Sequence, residues 1–151
     1  MTDTLEKPLG CTCFKLRKLT RAMSRLYDQH LARVGLKTTQ YSVLVNAARA
    51  ALPVAALADI LGMERTTLTR NLKPLTEAGW ITLMPGADSR QRIVTISAAG
   101  RAKVDEAYVA WRRAQTEFET LMGRETVRAL HLQLDTTMTQ LAPFLEEASH
   151  E

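Results

Sequence analysis

The segment "TTLTRNLKPLTEAGWITLMPGADSRQR", residues 66–92, changes its hydrophobic period halfway along. Up to Gly79 the apolar residues Leu68, Leu72 and Leu75 recur at helical steps and share one face. Beyond it, "WITLMP" and "RIVTIS" alternate and are rich in β-branched residues, with "GADSRQ" between them as a polar turn. A short amphipathic helix therefore runs into a tight β-hairpin. Both carry Thr, Lys and Arg on the faces left for solvent.

Upstream, "VAALADILG" reads as another short helix, ended by Gly62, which supplies a turn with positive φ. Ala58 is small enough for the next helix to cross closely over it. Leu68, Leu72 and Leu75 would hold that second helix down, leaving Arg65, Thr66, Thr67, Thr69, Arg70 and Lys73 facing out. Hydroxyl and guanidinium groups at a helix N-terminus suit phosphate oxygens and major-groove base edges. Arg90 and Arg92 sit at the hairpin tip, within reach of an adjacent minor groove. The expected fold is mainly α with a small β-hairpin wing, a winged helix-turn-helix flanked by long dimerisation helices.

The flanks read as helices too. Leu9, Cys13, Leu16, Leu19, Met23, Leu26, His30 or Leu31, and Val34 form a stripe from about Pro8, closed by Gly35. Thr38 and Thr39 offer N-caps for a helix through Tyr41, Leu44, Val45, Ala48 and Leu52, stopped by Pro53. After Ala98 one stripe holds Val104, Tyr108, Trp111, Gln115, Phe118 and Met122. After Gly123 another holds Val127, Leu130, Leu134, Met138, Leu141 and Leu145. These last two resemble coiled-coil seams, too apolar to face water. Residues 1–35 and 101–151 are thus expected to pair subunits into a homodimer, and residues 36–100 to bind DNA. The ends, "MTDTLEK" and "EEASHE", are expected to fray.

Composition narrows the function classes. With 46% hydrophobic and 24% charged residues, the chain is an ordinary soluble globular protein. No apolar run is long enough to span a bilayer, and the N-terminus lacks the apolar core of a secretory signal. A cytoplasmic protein with no membrane partner is expected. Residues 1–100 carry 14 Lys/Arg against 7 Asp/Glu, whereas residues 101–151 carry 6 against 9. A basic front suits a polyanion, here double-stranded DNA. There is no glycine-rich phosphate loop, no inward pair of carboxylates and no nucleophile elbow, so neither an enzyme nor a cofactor is expected. A helical adaptor without DNA binding is the remaining alternative, and it would lack salt-dependent affinity for DNA.

The stretches "LADILGMERTTLTRNLKPLTEAGWI" and "DSRQRIVTISAAGRA" resemble the MarR family of bacterial transcription regulators, and the similarity extends over nearly the whole chain. The resemblance implies an obligate homodimer with interlocked outer helices and one winged helix per subunit in successive major grooves of a pseudo-palindrome. It also implies that Asp88 braces the wing and that Arg90 enters the minor groove. The family often binds small aromatic acids, for which Phe14, Met23, Tyr41 and Trp111 are pocket candidates, though an aromatic stripe at this spacing also suits a core. Pro74, inside the recognition helix, departs from the pattern and should bend it by leaving the Arg70 carbonyl without its N–H.

The segment "CFKLRKLTRAMSRLYDQHLARVGLKTTQY" is similar to the organic-hydroperoxide-sensing branch of that family. Cys13 falls where that branch has its reactive cysteine and Tyr27 where it has a tyrosine bonded to it. Arg17 stands in place of a second tyrosine, and a guanidinium one turn away can stabilise a thiolate. The alternative reading of Cys13 is a small apolar residue of the inner stripe. Cys11 and Cys13 together spell C-x-C, a soft-metal pair only if the helix start unwinds. His30, His131 and His150 show no ligand spacing, so no metal is expected.

Overall fold

The computed structural model describes residues 9–148. They form helix α1 (Thr12–Leu31) with a 3-10 turn at Ala32–Val34, α2 (Thr38–Arg49), strand β1 (Leu52–Pro53), α3 (Val54–Leu61), α4 (Arg65–Glu77), strands β2 (Ile81–Pro85) and β3 (Arg92–Ile96), and the long helices α5 (Ala98–Met122) and α6 (Arg124–Ala148). The chain divides into two compact units, Met1–Arg112 and Arg113–Glu151. Pro8, His150 and most of the ends expected to fray lie outside the described residues.

In the first unit, one core joins Leu31, Leu36, Val43, Leu44, Ala47, Leu57, Ala58, Leu68, Leu72, Leu75, Ile81 and Val94 with Ala107 and Ala110 of α5. The expected stops are in place. Gly35, Gly62 and Gly79 all have positive φ, at 74°, 62° and 74°, values that residues with a Cβ rarely adopt. Leu68, Leu72 and Leu75 are at most 1% exposed, and burying each contributes about 1.5–3 kcal/mol. This fixes which side of α4 faces out.

Three features differ from the sequence reading. The second helix ends at Arg49, not near Leu52, because the chain turns extended at Ala50 (φ −159°, ψ 151°). Leu52 and Pro53 then pair with Val94 and Ile93, adding a third strand to the hairpin in the order β1-β3-β2. An edge position suits Pro53, which has no N–H to give a neighbour. At the N-terminus of α2, neither Thr38 nor Thr39 is the cap. Lys37 holds that position, its N–H bonding to Gln40 Oε1 at 2.9 Å, while Asp28 accepts from both the N–H and the hydroxyl of Thr38 at 2.7 and 2.6 Å. That carboxylate comes from α1, ten residues earlier in the chain.

The third difference concerns α5. Its buried face runs through Ala107, Ala110, Ala114 and Phe118, with Val104, Trp111 and Gln115 half-buried, whereas Tyr108 and Met122 are 48% and 47% exposed. Small alanines carry the close packing that the larger residues were expected to provide. In the second unit, Gly123 (φ 82°) separates the end of α5 from α6, and Arg124 pairs with Glu119 at 3.5 Å. Among the described residues no helix is long and apolar enough to cross a membrane.

Candidate nucleic-acid interface

The outer face of α4 is built by default, since its leucines consume the inner one. Arg65, Thr66, Thr67, Thr69, Arg70 and Lys73 are all exposed. Lys73 meets Glu77 at 3.9 Å, but both side chains are largely in solvent, so the pair is weak and leaves the ammonium available to a stronger anion. Pro74 lies inside α4, which nevertheless continues to Glu77, and the Pro74 carbonyl accepts from the Ala78 N–H at 3.0 Å. Proline there removes only the bond to the Arg70 carbonyl, one turn from the helix end.

The wing is held in shape by its own polar groups. β2 and β3 pair from Ile81↔Ile96 to Pro85↔Arg92, placing residues 86–91 at the tip. The Asp88 carboxylate accepts the Arg90 N–H at 3.1 Å, the Asp88 carbonyl accepts the Gln91 N–H at 2.9 Å, and Gly86 N–H closes on the Gln91 carbonyl at 2.9 Å. An acidic residue bonding the backbone two positions on is a turn-making device. It leaves Arg90 exposed at the tip, whereas Arg92, expected at the tip as well, is the first residue of β3, paired with Pro85, and is likewise exposed.

Between helix and wing runs a groove of about 460 Å³. Arg65, Thr69 and Leu72 of α4 line one side, Leu83, Asp88 and Arg90 to Arg92 the other, and Pro53 to Ala55 its end. Three arginines against the one carboxylate of Asp88 give the groove a net positive lining, which favours an anion. The structure thus brings Arg65, Thr69, Asp88, Arg90 and Arg92 together, while Thr66, Arg70 and Lys73 stand on the outer side of the same helix.

Residues not singled out in the sequence hold this head together. Ser97 Oγ lies 2.6 Å from the Gly79 carbonyl and 3.0 Å from that of Trp80, and it accepts the Gly100 N–H at 3.0 Å. Gly100 is buried so tightly that an added Cβ would collide with the Trp80 carbonyl oxygen. Lys103 donates to the Val34 carbonyl at 2.7 Å and to Glu106 at 2.8 Å, and its ammonium sits 5.2 Å from the centre of the Trp80 ring. A cation over an aromatic face, with its remaining protons bonded, is a stable way to half-bury a lysine. The S-A-A-G sequence after β3 was the available signal for the first pair, and nothing local marked Lys103.

The other candidates disperse. Tyr41 is buried and lies 6.4 Å from Trp111, on which Tyr108 stacks at 5.8 Å. Burial, helped by Tyr108 and opposed by Arg49, raises the Tyr41 phenol above its usual pKa, so it is a neutral hydroxyl at physiological pH. Phe14, 61% exposed, makes no ring contact with this cluster among the described residues, and Met23 is half-buried. Cys13 does not lie on an inner face within the subunit: it and Arg17 are exposed, as is every residue of the stripe up to Leu19, and Tyr27 is half-buried. Cys11 is the N-cap of α1, its Sγ accepting the Phe14 N–H at 3.4 Å. Among the described residues, no three His, Cys, Asp or Glu side chains group as metal ligands.

Comparison with known proteins places this architecture. Residues 34–91, from the end of α1 to the wing tip, match the model of the MarR family. The transcriptional regulator MosR of M. tuberculosis, solved in complex with DNA, is 32% identical, with a TM-score of 0.70 over 85% of this chain and 98% of that one. A mutant MarR of E. coli complexed with operator DNA superposes with a TM-score of 0.74 at 21% identity, over 82% of this chain and 90% of that one, a likeness of fold. The HTH-type transcriptional regulator YwoH of Bacillus subtilis is 27% identical over 105 residues, covering 68% of this chain and 76% of its own. A winged helix with an exposed basic face, the matching family model and a near-full-length relative at this identity lead to one conclusion: the chain belongs to the MarR family, as a DNA-binding transcriptional regulator and not an enzyme.

Proposed function

We propose that the protein is a cytoplasmic homodimer that binds a pseudo-palindromic operator as a repressor and leaves it on a chemical signal. Residues 36–100 read the DNA, and residues 1–35 with 101–151 pair the subunits. The observation that carries the DNA reading is the helix–wing pair, an outward α4 face of Arg65, Thr66, Thr67, Thr69, Arg70 and Lys73 beside a braced wing offering Arg90 and Arg92. Pairing is supported by the apolar residues left in solvent: Leu16 and Leu19 on α1, and Leu134, Met138, Leu141 and Phe144 on α6, are 39–66% exposed. Rows of this kind mark association surfaces.

The two kinds of DNA contact separate by mutation. Arg90→Ala should weaken operator binding by roughly 1–3 kcal/mol, the value of a groove contact. Lys73→Ala, a phosphate contact, should weaken all sequences alike and reduce the slope of log affinity against log salt by about 1. Unchanged binding in both variants, measured by fluorescence anisotropy on duplex DNA, moves the DNA surface elsewhere.

The signal on this reading is a small aromatic acid, received near Tyr41 and Trp111. A second reading, oxidation, is favoured by the exposure of Cys13 and Cys11 beside Arg17 at the start of α1. The Cys13 thiolate would take the terminal oxygen of an organic hydroperoxide, giving a sulfenic acid and releasing the alcohol. Cys13→Ser should then bind operator normally and stay bound after hydroperoxide, while Cys11→Ser still releases. Tyr27→Phe should slow the response. If Cys13→Ser releases as readily as the parent, oxidation at this residue is not the signal.

A further inference from the structure

Of the four exposed threonines of α4, Thr69 is the one that lines the groove beside the wing. Thr66 and Thr67 occupy the first turn, where the residues four earlier, Gly62 and Met63, precede the helix. The hydroxyls of Thr69 and Thr76 instead donate to the carbonyls four residues back, Arg65 at 2.8 Å and Leu72 at 2.9 Å. A threonine hydroxyl has one proton, and here the helix's own backbone takes it. In a helix, two of the three staggered positions on Cβ are open to heavy atoms, and the third drives into the preceding turn. With the oxygen turned back onto the backbone, the methyl takes a remaining staggered position. Thr69 is exposed, so what it offers a partner is apolar contact rather than a donor.

Its neighbours match that character. Thr69 lines the groove together with Leu83, which is 38% exposed, over the buried Leu72, while Arg65, Arg90 and Arg92 line the same groove against the one carboxylate of Asp88. An apolar strip between cations suits a small hydrophobic group on an otherwise anionic ligand. In the major groove of DNA that group is the 5-methyl of thymine, the one methyl on any base edge.

We propose that Thr69 is a specificity-determining residue that reads a thymine through its methyl group. The proposal rests on DNA binding by α4, and the test keeps the two apart. The probe is a duplex selected by the full-length protein from a randomised pool, with thymines then replaced one at a time by uracil, which removes only the methyl. One thymine in each half-site should lower affinity roughly three- to fivefold when replaced, the value of one buried methyl. Thr69→Val keeps shape and methyl, and should show the same uracil penalty as the parent. Thr69→Ser keeps the hydroxyl, and should lose that factor on the thymine duplex and show no further penalty on uracil. Thermal unfolding of both variants should match the parent.

A loss in Thr69→Val with none in Thr69→Ser would make the hydroxyl the reading group and overturn the proposal. So would an undiminished uracil penalty in Thr69→Ser, since another residue would then meet the methyl. If Arg70→Ala and Arg90→Ala bind as the parent does, the DNA reading of α4 fails, and this proposal fails with it.

Discussion

Leu134→Asp is expected to convert the protein to a monomer at micromolar concentration and to remove operator binding in the same step. Leu134 is 39% exposed in the subunit and shares a helical stripe with Met138, Leu141 and Leu145 of α6, at 59%, 45% and 49%. Burying a leucine contributes about 1.5–3 kcal/mol, and a symmetric dimer carries each substitution twice. With about two fifths of each Leu134 left to bury, the lost contact is about 1–2.5 kcal/mol for the pair, and two buried carboxylates add several kcal/mol more, together roughly a hundredfold or more in the dimer dissociation constant. Leu141→Asp should act alike. Leu132, 70% exposed and on the opposite side of α6, supplies the control, because Leu132→Asp should leave assembly unchanged. Sedimentation velocity gives the mass, and a melting temperature that depends on protein concentration should be lost with the dimer. If Leu134→Asp sediments as the parent does, the pairing surface is not this stripe.

Gly100→Ala should be the most damaging single-methyl addition in the first unit. The new Cβ would meet the Trp80 carbonyl oxygen and Ile96 Cγ1. Backbone cannot step aside cheaply there, because the same carbonyl accepts the Ser97 N–H at 3.0 Å. Either the start of α5 or the β2–β3 hairpin must move, at a cost of about 2–4 kcal/mol. Thermal unfolding should show a drop of about 5–15 °C. Since the hairpin carries Arg90 and Arg92, operator affinity measured well below the transition should fall too. An unchanged melting temperature would show that α5 and the wing are not locked together at this point.

The parts of this molecule written locally were legible in the sequence. The shift from helical to alternating period at Gly79 marked the end of α4 and the wing, and Gly35, Gly62 and Gly123 marked turns because only they reach positive φ easily. The outward side of α4 followed from its three leucines. What escaped was set by residues distant in the chain. A two-residue strand containing proline has no periodicity of its own, so β1 is visible only through its partners on β3. The Asp28 bond to Thr38 and the Lys103 contacts with Val34 and Trp80 join segments that no local pattern connects. On α5, alanines carry little weight in a hydrophobic stripe, yet Ala107, Ala110 and Ala114 are the buried positions. Cys13 was assigned to an inner face by spacing alone, and within the subunit that face of α1 is open to solvent.

On the proposed reading, α4 and the wing bind duplex DNA through Arg65, Arg70, Lys73, Arg90 and Arg92 of each subunit. Affinity for a duplex selected from a randomised pool, measured between about 50 and 200 mM salt, tests it most directly. Cations from two subunits that neutralise six to ten phosphates should cost roughly a thousandfold or more in affinity over that range, with a linear log–log dependence. An affinity that stays flat with salt, or no duplex selected at all, would mean that these cations do not bind DNA.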